Sequence, residues 1–214
     1  MKIGLIGATG FVGKAVLREL LDRNHDVTGI SRHPERLGFR HPGLRSKAGD
    51  MLDEAQVVLF MKGQDVVISA YNAGWTNPQI YEECLRGWST IQSGIKKAGV
   101  KRFLIVGGAG SLEVAPGLQL LDTPEFPAQF RAGALAAREY LEILKKEKEL
   151  DWTYVSPAIQ LVPGSRKGVY RTALDNPVYN SEGKSIISVE DLAVAIADEV
   201  EKPKHTHQRF TVGY

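Results

Sequence analysis

The stretch Gly7-Ala8-Thr9-Gly10-Phe11-Val12-Gly13 constrains this chain more than any other. It follows a short apolar run, Ile3 to Ile6, that reads as a buried strand. It leads into Val12, Ala15, Val16 and Leu20, which share one face of a 3.6-residue period. Strand, glycine turn and helix in direct succession form the geometry that receives a dinucleotide pyrophosphate. The glycines let the backbone turn sharply and approach phosphate oxygens. The helix start adds unpaired N–H groups and the positive end of its dipole. The spacing is GxxGxxG rather than GxGxxG, so the flanking strand and helix carry the assignment, not the glycine count. Gly7, Thr9, Gly10, Phe11, Val12 and Gly13 are the candidate phosphate-binding residues.

The rest of the chain repeats the alternation. Strands are predicted at Lys2–Ile6, Asp26–Ser31, Leu44–Lys47, Asp65–Ser69, Arg102–Val106 and Trp152–Ser156. Runs such as Val66-Val67-Ile68 and Phe103-Leu104-Ile105-Val106 are apolar throughout, as strands covered on both faces are. Helices are predicted at Phe11–Arg23, Asp53–Met61, Asn77–Ala98 and Ala132–Glu149. The expected fold is α/β, a Rossmann-type doubly wound parallel sheet with helices on both faces, in a single domain over 1–214. Two segments break the rhythm. Gly107 to Phe130 contains Pro116, Pro124 and Pro127 and lacks clean periodicity, so it reads as a binding loop or lid. Val162 to Lys184 reads as a small C-terminal elaboration, and segments 107–130 and 158–185 together form the expected substrate side. Ile186 to Asp191 then resembles a short strand and a capped helix start, with the helix ending near Val200 and a last strand over Arg209–Val212.

Charge and composition narrow the partners. Lys plus Arg number 27 against 25 Asp plus Glu, a net charge of +2 with no basic stripe, which argues against a nucleic-acid partner. The mixed run Lys145 to Glu149 reads as a solvated helix end. No apolar run approaches a membrane span, and no signal peptide is read at the N-terminus. The single cysteine, Cys84, has no internal disulfide partner and fits a reducing, cytoplasmic setting. Its helical neighbours Ile80, Trp88 and Ile91 favour a buried thiol over a nucleophile. Histidines 25, 33, 41, 205 and 207 lack metal-ligand spacing, so no metal is expected.

Later strand ends extend the candidate site. The second strand ends in Ser31-Arg32, with no carboxylate at its tip. A guanidinium there suits a 2′-phosphate and favours NADP(H) over NAD(H), unless Arg32 is simply a surface cation. Asp50 and Met51 follow the third strand, where an adenine edge would lie; Asp50 suits a helix N-cap before Leu52 nearly as well. Ala70, Tyr71 and Asn72 follow the fourth strand and Gly107-Gly108 the fifth, along the two riboses. Tyr71 and Trp75 offer faces for stacking on a planar ligand or, alternatively, fill the core beneath the loop. Asn72 orients a polar ligand group or shapes a turn. Ser111 bonds an acceptor or a relaying water, or else its own backbone.

These segments resemble an atypical short-chain dehydrogenase/reductase. The likeness is to the NAD(P)H-binding family of NADH-flavin reductases, close to NmrA-like and biliverdin reductase B-like proteins. It is carried by GATGFVG at 7–13, SRHPER at 31–36, AGDMLD at 48–53, ISAYNAG at 68–74 and KKAGVKRFLIVGGAGSLE at 96–113. DTPEFP at 122–127, WTYVSPA at 152–158 and ISVEDLAVAI at 187–196 complete it. The resemblance implies that Pro157, after the sixth strand, borders the nicotinamide.

The departures are as informative. Many short-chain dehydrogenases use a serine with a tyrosine and lysine in Y-x-x-x-K. Here the corresponding helix reads Phe130-Arg131-Ala132-Gly133-Ala134, and the serine position falls on Gly107 or Gly108. Phenylalanine moves no proton and alanine binds no ribose, so chemistry that needs a positioned proton is not expected. Hydride transfer to a flavin (FMN or FAD as substrate), a quinone or a similar planar acceptor asks less, because the acceptor spreads the added charge itself. Ser111, Tyr71 and Trp75 are then the candidate residues at the reacting end. The alternative is a non-catalytic NADP(H)-binding sensor. A monomer or a homodimer is expected.

Overall fold

The computed structural model describes residues 1–214. Short apolar runs give the central strands β1 (Lys2–Ile6), β2 (Asp26–Ser31), β3 (Leu44–Ala48), β4 (Val66–Ser69) and β5 (Arg102–Val106). The intervening amphipathic segments give α1 (Phe11–Asp22), α2 (Glu54–Met61) and α3 (Ile80–Lys97). After β5 come a small hairpin of β6 (Glu113–Ala115) and β7 (Leu118–Gln119), then α4 (Arg131–Leu144) and β8 (Asp151–Ser156). The chain closes with β9 (Gln160–Val162), β10 (Arg171–Ala173), β11 (Ile186–Ser188), α5 (Val189–Glu201) and β12 (Gln208–Gly213).

Eight strands form one sheet in the order β10-β12-β8-β5-β4-β1-β2-β3. All pairings are parallel except the edge pair of β10 with β12. The chain moves outward from β1 to β3, then returns to place β4 on the other side of β1. That reversal opens a crevice at the carboxyl ends of β1 and β4, the position where open α/β sheets take ligands. The expected doubly wound architecture is therefore the observed one.

Strand alternation sorts the core into two layers. Ile3, Leu5, Val27, Ile68, Val155 and Phe210 pack with Val16, Leu17 and Leu20 of α1 and Leu192 and Ile196 of α5. Ile6, Ile30, Val67, Phe103, Ile105 and Tyr154 pack with Cys84, Trp88 and Ile91 of α3 and Tyr140 and Leu144 of α4. Cys84 is fully buried, and burial pushes its thiol pKa up, which suits a core residue.

Where helix boundaries depart from expectation, polar side chains are responsible. α3 starts at Ile80 rather than Asn77, because Asn77 Oδ1 accepts the Gln79 N–H at 2.9 Å in a turn through Pro78. α4 stops at Leu144 rather than Glu149. There Glu147 accepts from Gln92 Nε2 and from the Glu149 N–H, both at 2.6 Å, and turns the chain back. The 107–130 segment holds the β6–β7 hairpin, turned at Pro116-Gly117 with Gly117 at φ 71°, and short 3-10 turns over 120–122 and 128–130.

Buried carboxylates stitch the C-terminal segment to the helices. Asp191 accepts the N–H groups of Lys167 and Gly168 at 2.8 Å and the Tyr214 hydroxyl at 2.6 Å. Glu19 on α1 accepts from Arg23 Nε at 2.7 Å and from Arg166 Nε and Nη2 at 2.7 and 2.9 Å. Arg23 reaches on to Asp198 and Glu201 of α5 at 2.7 and 2.8 Å. Hydrogen bonds from Arg166 first, and then from Arg23, outweigh burial and hold the Glu19 carboxyl below the ordinary 4.5. A carboxyl with a lowered folded pKa contributes stability that is complete above its unfolded value and lost as pH falls through its folded one. Glu19→Gln is expected to lower Tm by about 2–4 °C at pH 7, equivalent to about 1 kcal/mol. The difference from wild type should close towards pH 3, as followed by calorimetry across that range; a gap independent of pH would contradict this account of Glu19.

Candidate functional site

The turn after β1 is shaped by contacts that leave no room for side chains. Gly7 lies at φ 82°, and a Cβ there would stand 2.6 Å from the Ala70 carbonyl oxygen. A Cβ on Gly13 would stand 2.0 Å from the Gly7 carbonyl oxygen. Gly7 and Ala8 donate to the Ile30 carbonyl at 2.9 and 3.2 Å, which ties the turn to β2. Gly10 donates to Gly7 O at 3.0 Å and caps α1 without a side chain. The N–H groups of Phe11, Val12 and Gly13 have no partner at this helix start. Thr9 is half-buried beside them, while Gly10 and Phe11 are exposed. Free donors, a dipole end and a side-chain-free cradle fit a nucleotide pyrophosphate.

At the tip of β2 the Ser31 carbonyl accepts the Gly49 N–H at 3.1 Å, while the buried Ser31 Oγ has no partner. Arg32 is exposed and has no carboxylate partner. Asp50 is exposed too; its Oδ1 accepts the Leu52 N–H at 3.0 Å and so shapes a turn. The Met51 side chain is buried in the core with Ile6, Ile30 and Val57 rather than presented at the surface beside the strand ends.

The β4–α3 connection also divides differently from expectation. Ala70 presses its carbonyl on Gly7. The Tyr71 ring packs over α3, where a Cβ at Gly87 would be 2.4 Å from it. Its hydroxyl donates to the Glu83 carbonyl at 3.4 Å, and its pKa is pushed up to about 12, mainly by burial. Tyr71 is thus a wall beneath the loop rather than a stacking face. Asn72 Oδ1 accepts the Gly74 N–H at 2.7 Å, a turn-forming bond. Trp75 is 54% exposed and meets Phe130 edge to face, with ring centroids 5.2 Å apart at 80°. It also rests on Gly133 of α4, where a Cβ would lie 2.8 Å from Trp75 Cζ3.

Small residues bring α4 and the strand ends together. Gly107 sits on the Tyr154 phenol, within 1.9 Å of where a Cβ would fall. The Tyr154 hydroxyl donates to the Ala137 carbonyl at 3.0 Å. Burial raises its pKa far above the ordinary value. Ala134 faces Gly110, where an added Cβ would be 3.0 Å from the Ala134 Cβ. Ser111 is buried, and its carbonyl and hydroxyl oxygens both accept from Arg209 Nη1 at 2.9 Å. This corrects the expectation that Ser111 faces an acceptor: its hydroxyl is enclosed and engaged. Pro157 is buried just beyond β8. Next to it, the register partners Ser156 and Thr211 are fully buried with unpartnered hydroxyls. Phe130, Tyr154, Ser156, Arg209 and Thr211 were not among the sequence-derived site residues. The alternation of Arg209 and Thr211 with Phe210 and Val212 was the available signal, since it gives β12 one polar face.

The sequence pattern of the NAD(P)H-binding family matches residues 7–203, and the chain belongs to that family. The uncharacterized protein YwnB of Bacillus subtilis is 37% identical over 215 residues, covering 99% of this chain and 98% of its own. A Bacteroides thetaiotaomicron structure, provisionally named an epimerase, superposes with a TM-score of 0.93 at 49% identity, covering 100% of this chain and 96% of that one. A Streptococcus pneumoniae structure, provisionally named an NADH-flavin reductase, gives 0.84 at 32% identity, covering 100% and 99%.

The two helix-start glycines separate binding from folding. A Cβ at position 10 meets only the Gly7 oxygen, at 3.3 Å, so Gly10→Val is expected to fold but to lose NAD(P)H binding in calorimetric titration. Gly13→Ala forces backbone apart and should cost about 1–3 kcal/mol of stability in denaturant unfolding. Tight cofactor binding by Gly10→Val would remove the pyrophosphate from this turn.

Proposed function

We propose that this protein is an NADPH-dependent reductase that passes hydride to a flavin, a quinone or a similar planar acceptor. The observation that carries the reading is the pairing of an exposed aromatic wall, Trp75 and Phe130, with a reacting end that lacks an available proton-transfer side chain. Phe130 and Ala134 stand where the resembling enzymes carry tyrosine and lysine. Ser111 is held by Arg209, and Tyr154 is enclosed with its hydroxyl donating to the Ala137 carbonyl. The nearby residues are therefore suited to orienting a flat acceptor and excluding water rather than to acid–base work. This also speaks against epimerisation, which needs a base at the reacting carbon. The streptococcal relative's name agrees with the reading.

Bound NADPH supplies the hydride. The residues that would hold it are the N–H groups of Phe11 to Gly13 for the pyrophosphate, Ser31 and Arg32 for the 2′-phosphate, Asp50 for the adenine edge and the Ala70–Asn72 backbone for the ribose. Gly107, Gly108 and Pro157 would border the nicotinamide end. The unpaired Arg32 and the orphan Ser31 hydroxyl support the NADP preference. The same lack of an available acid or base favours one other reading, a sensor that distinguishes NADPH from NADP⁺ without turnover.

Rapid mixing with NADPH, with and without FMN and a quinone, tests the proposal. Acceptor-dependent oxidation is expected; binding without oxidation across that panel would leave the sensor. Arg32→Ala should weaken NADPH more than NADH by about 1.5–3 kcal/mol in titration, the loss of a charge-assisted bond. Equal weakening would remove the NADP assignment. Trp75→Ala should raise KM for the acceptor by about 3- to 10-fold while leaving the Kd for NADPH near wild type.

A further inference from the structure

Arg209 is a buried cation that the proposed chemistry does not use, and it joins three parts of the chain. Its Nη1 donates to both oxygens of Ser111 at 2.9 Å, and its Nε donates to Asp175 Oδ1 at 3.0 Å, with Nη2 bonded to the same oxygen. The Glu113 N–H donates to the Asp175 carbonyl at 2.9 Å, and Asn176 Nδ2 donates to the Glu113 carbonyl at 3.0 Å. Residues 111–113 are thereby zipped to 175–176 around one guanidinium. In the sheet, Arg209 is the register partner of Tyr154, whose ring packs directly against Gly107. The Gly107–Ser111 turn is thus fixed at one end by Tyr154 and at the other by Arg209. One step nearer the strand ends lie the orphan hydroxyls of Ser156 and Thr211.

We propose that Arg209 is a positioning residue for the nicotinamide end of the cofactor, acting through the Gly107–Ser111 turn, which it locks to the 175–176 segment. The proposal rests on the reading above that this end of NADPH lies at the carboxyl ends of β5 and β8. A planar fork bonded on two sides fixes a loop in a way a lysine ammonium does not. Pre-set geometry at a reacting centre matters because a displacement of about 1 Å can cost about 100-fold in rate.

The test compares wild type, Arg209→Lys and Asp175→Asn. The second variant loosens Arg209 from a side chain that is 59% exposed, so it keeps the test open if Arg209→Lys does not fold. Titrations use NADPH and 2′-phospho-ADP-ribose, which lacks the nicotinamide; amide hydrogen exchange covers residues 108–113; single-turnover oxidation uses FMN. Expected are an unchanged fragment affinity (within twofold), a loss of NADPH affinity of about 10-fold in Arg209→Lys and less in Asp175→Asn, and faster exchange at 108–113. Hydride transfer to FMN should fall by about 10- to 100-fold. Parallel weakening of NADPH and the fragment would make Arg209 merely a fold-stabilising residue and overturn the proposal. So would unchanged NADPH affinity despite faster exchange. If wild type fails to oxidise NADPH with any acceptor, the reductase reading falls, while the ratio of the two affinities still decides the role of Arg209.

Discussion

The contact on which the rest of this structure depends is the approach of the α1 backbone to the end of β1. With 2.0 Å between a notional Cβ at position 13 and the Gly7 oxygen, α1 can start only because no side chain intervenes. That approach aims the free N–H groups of Phe11, Val12 and Gly13 along the crevice. The same economy of volume places Ala70 on Gly7, which brings the β4 connection alongside β1 at the point where the strand order reverses. On the proposed reading, cofactor recognition is a property of backbone packing, refined by side chains at the tips of β2 and β3.

A second set of close contacts builds the opposite end of the crevice. Gly107 rests on Tyr154, Gly110 on Ala134 and Gly133 on Trp75. Each glycine admits a larger neighbour, and together they press α4 onto the loop after β5. Trp75 and Phe130 form an aromatic pair at the start of α4, while Tyr154, Arg209, Ser156 and Thr211 keep their charge and hydroxyls buried on β8 and β12. The 110–123 part of the loop is held by Arg209, by Asp175 and by Arg138, which reaches Asp122 Oδ2 at 2.8 Å. This stretch is braced from two directions.

Much of this was legible in the chain, for reasons that differ by element. The central strands announce themselves because both faces are buried, so the runs at 66–68 and 103–106 are apolar throughout. The glycine turn is legible because its neighbours switch from strand to helix period. The short strands β6, β7, β9 and β10 leave no such trace, since two or three residues joined by backbone bonds need no pattern. Tyr71 and Met51 show the limit at the site itself. Sequence places them beside a ligand, yet the direction of a side chain at a strand end is set by what lies opposite. Gly87 opens a berth on α3 for Tyr71, and a core gap beside Gly49 and Ile30 takes Met51. Ser111 was found as a residue and missed in its partner, because Arg209 comes 98 positions later.

The contact between Ala134 and Gly110 has an evolutionary consequence. Installing tyrosine at 130 and lysine at 134 would not reinstate acid–base chemistry. Ala134 packs so closely on Gly110 that a Cβ there would already stand 3.0 Å from the Ala134 Cβ, so a long side chain at 134 would crowd a loop that is anchored on a buried arginine. Returning to that chemistry would require the loop, the helix and the last strand to change together. In this packing the Y-x-x-x-K arrangement lies several coordinated changes away, because a close-packed contact cannot accept one larger side chain alone.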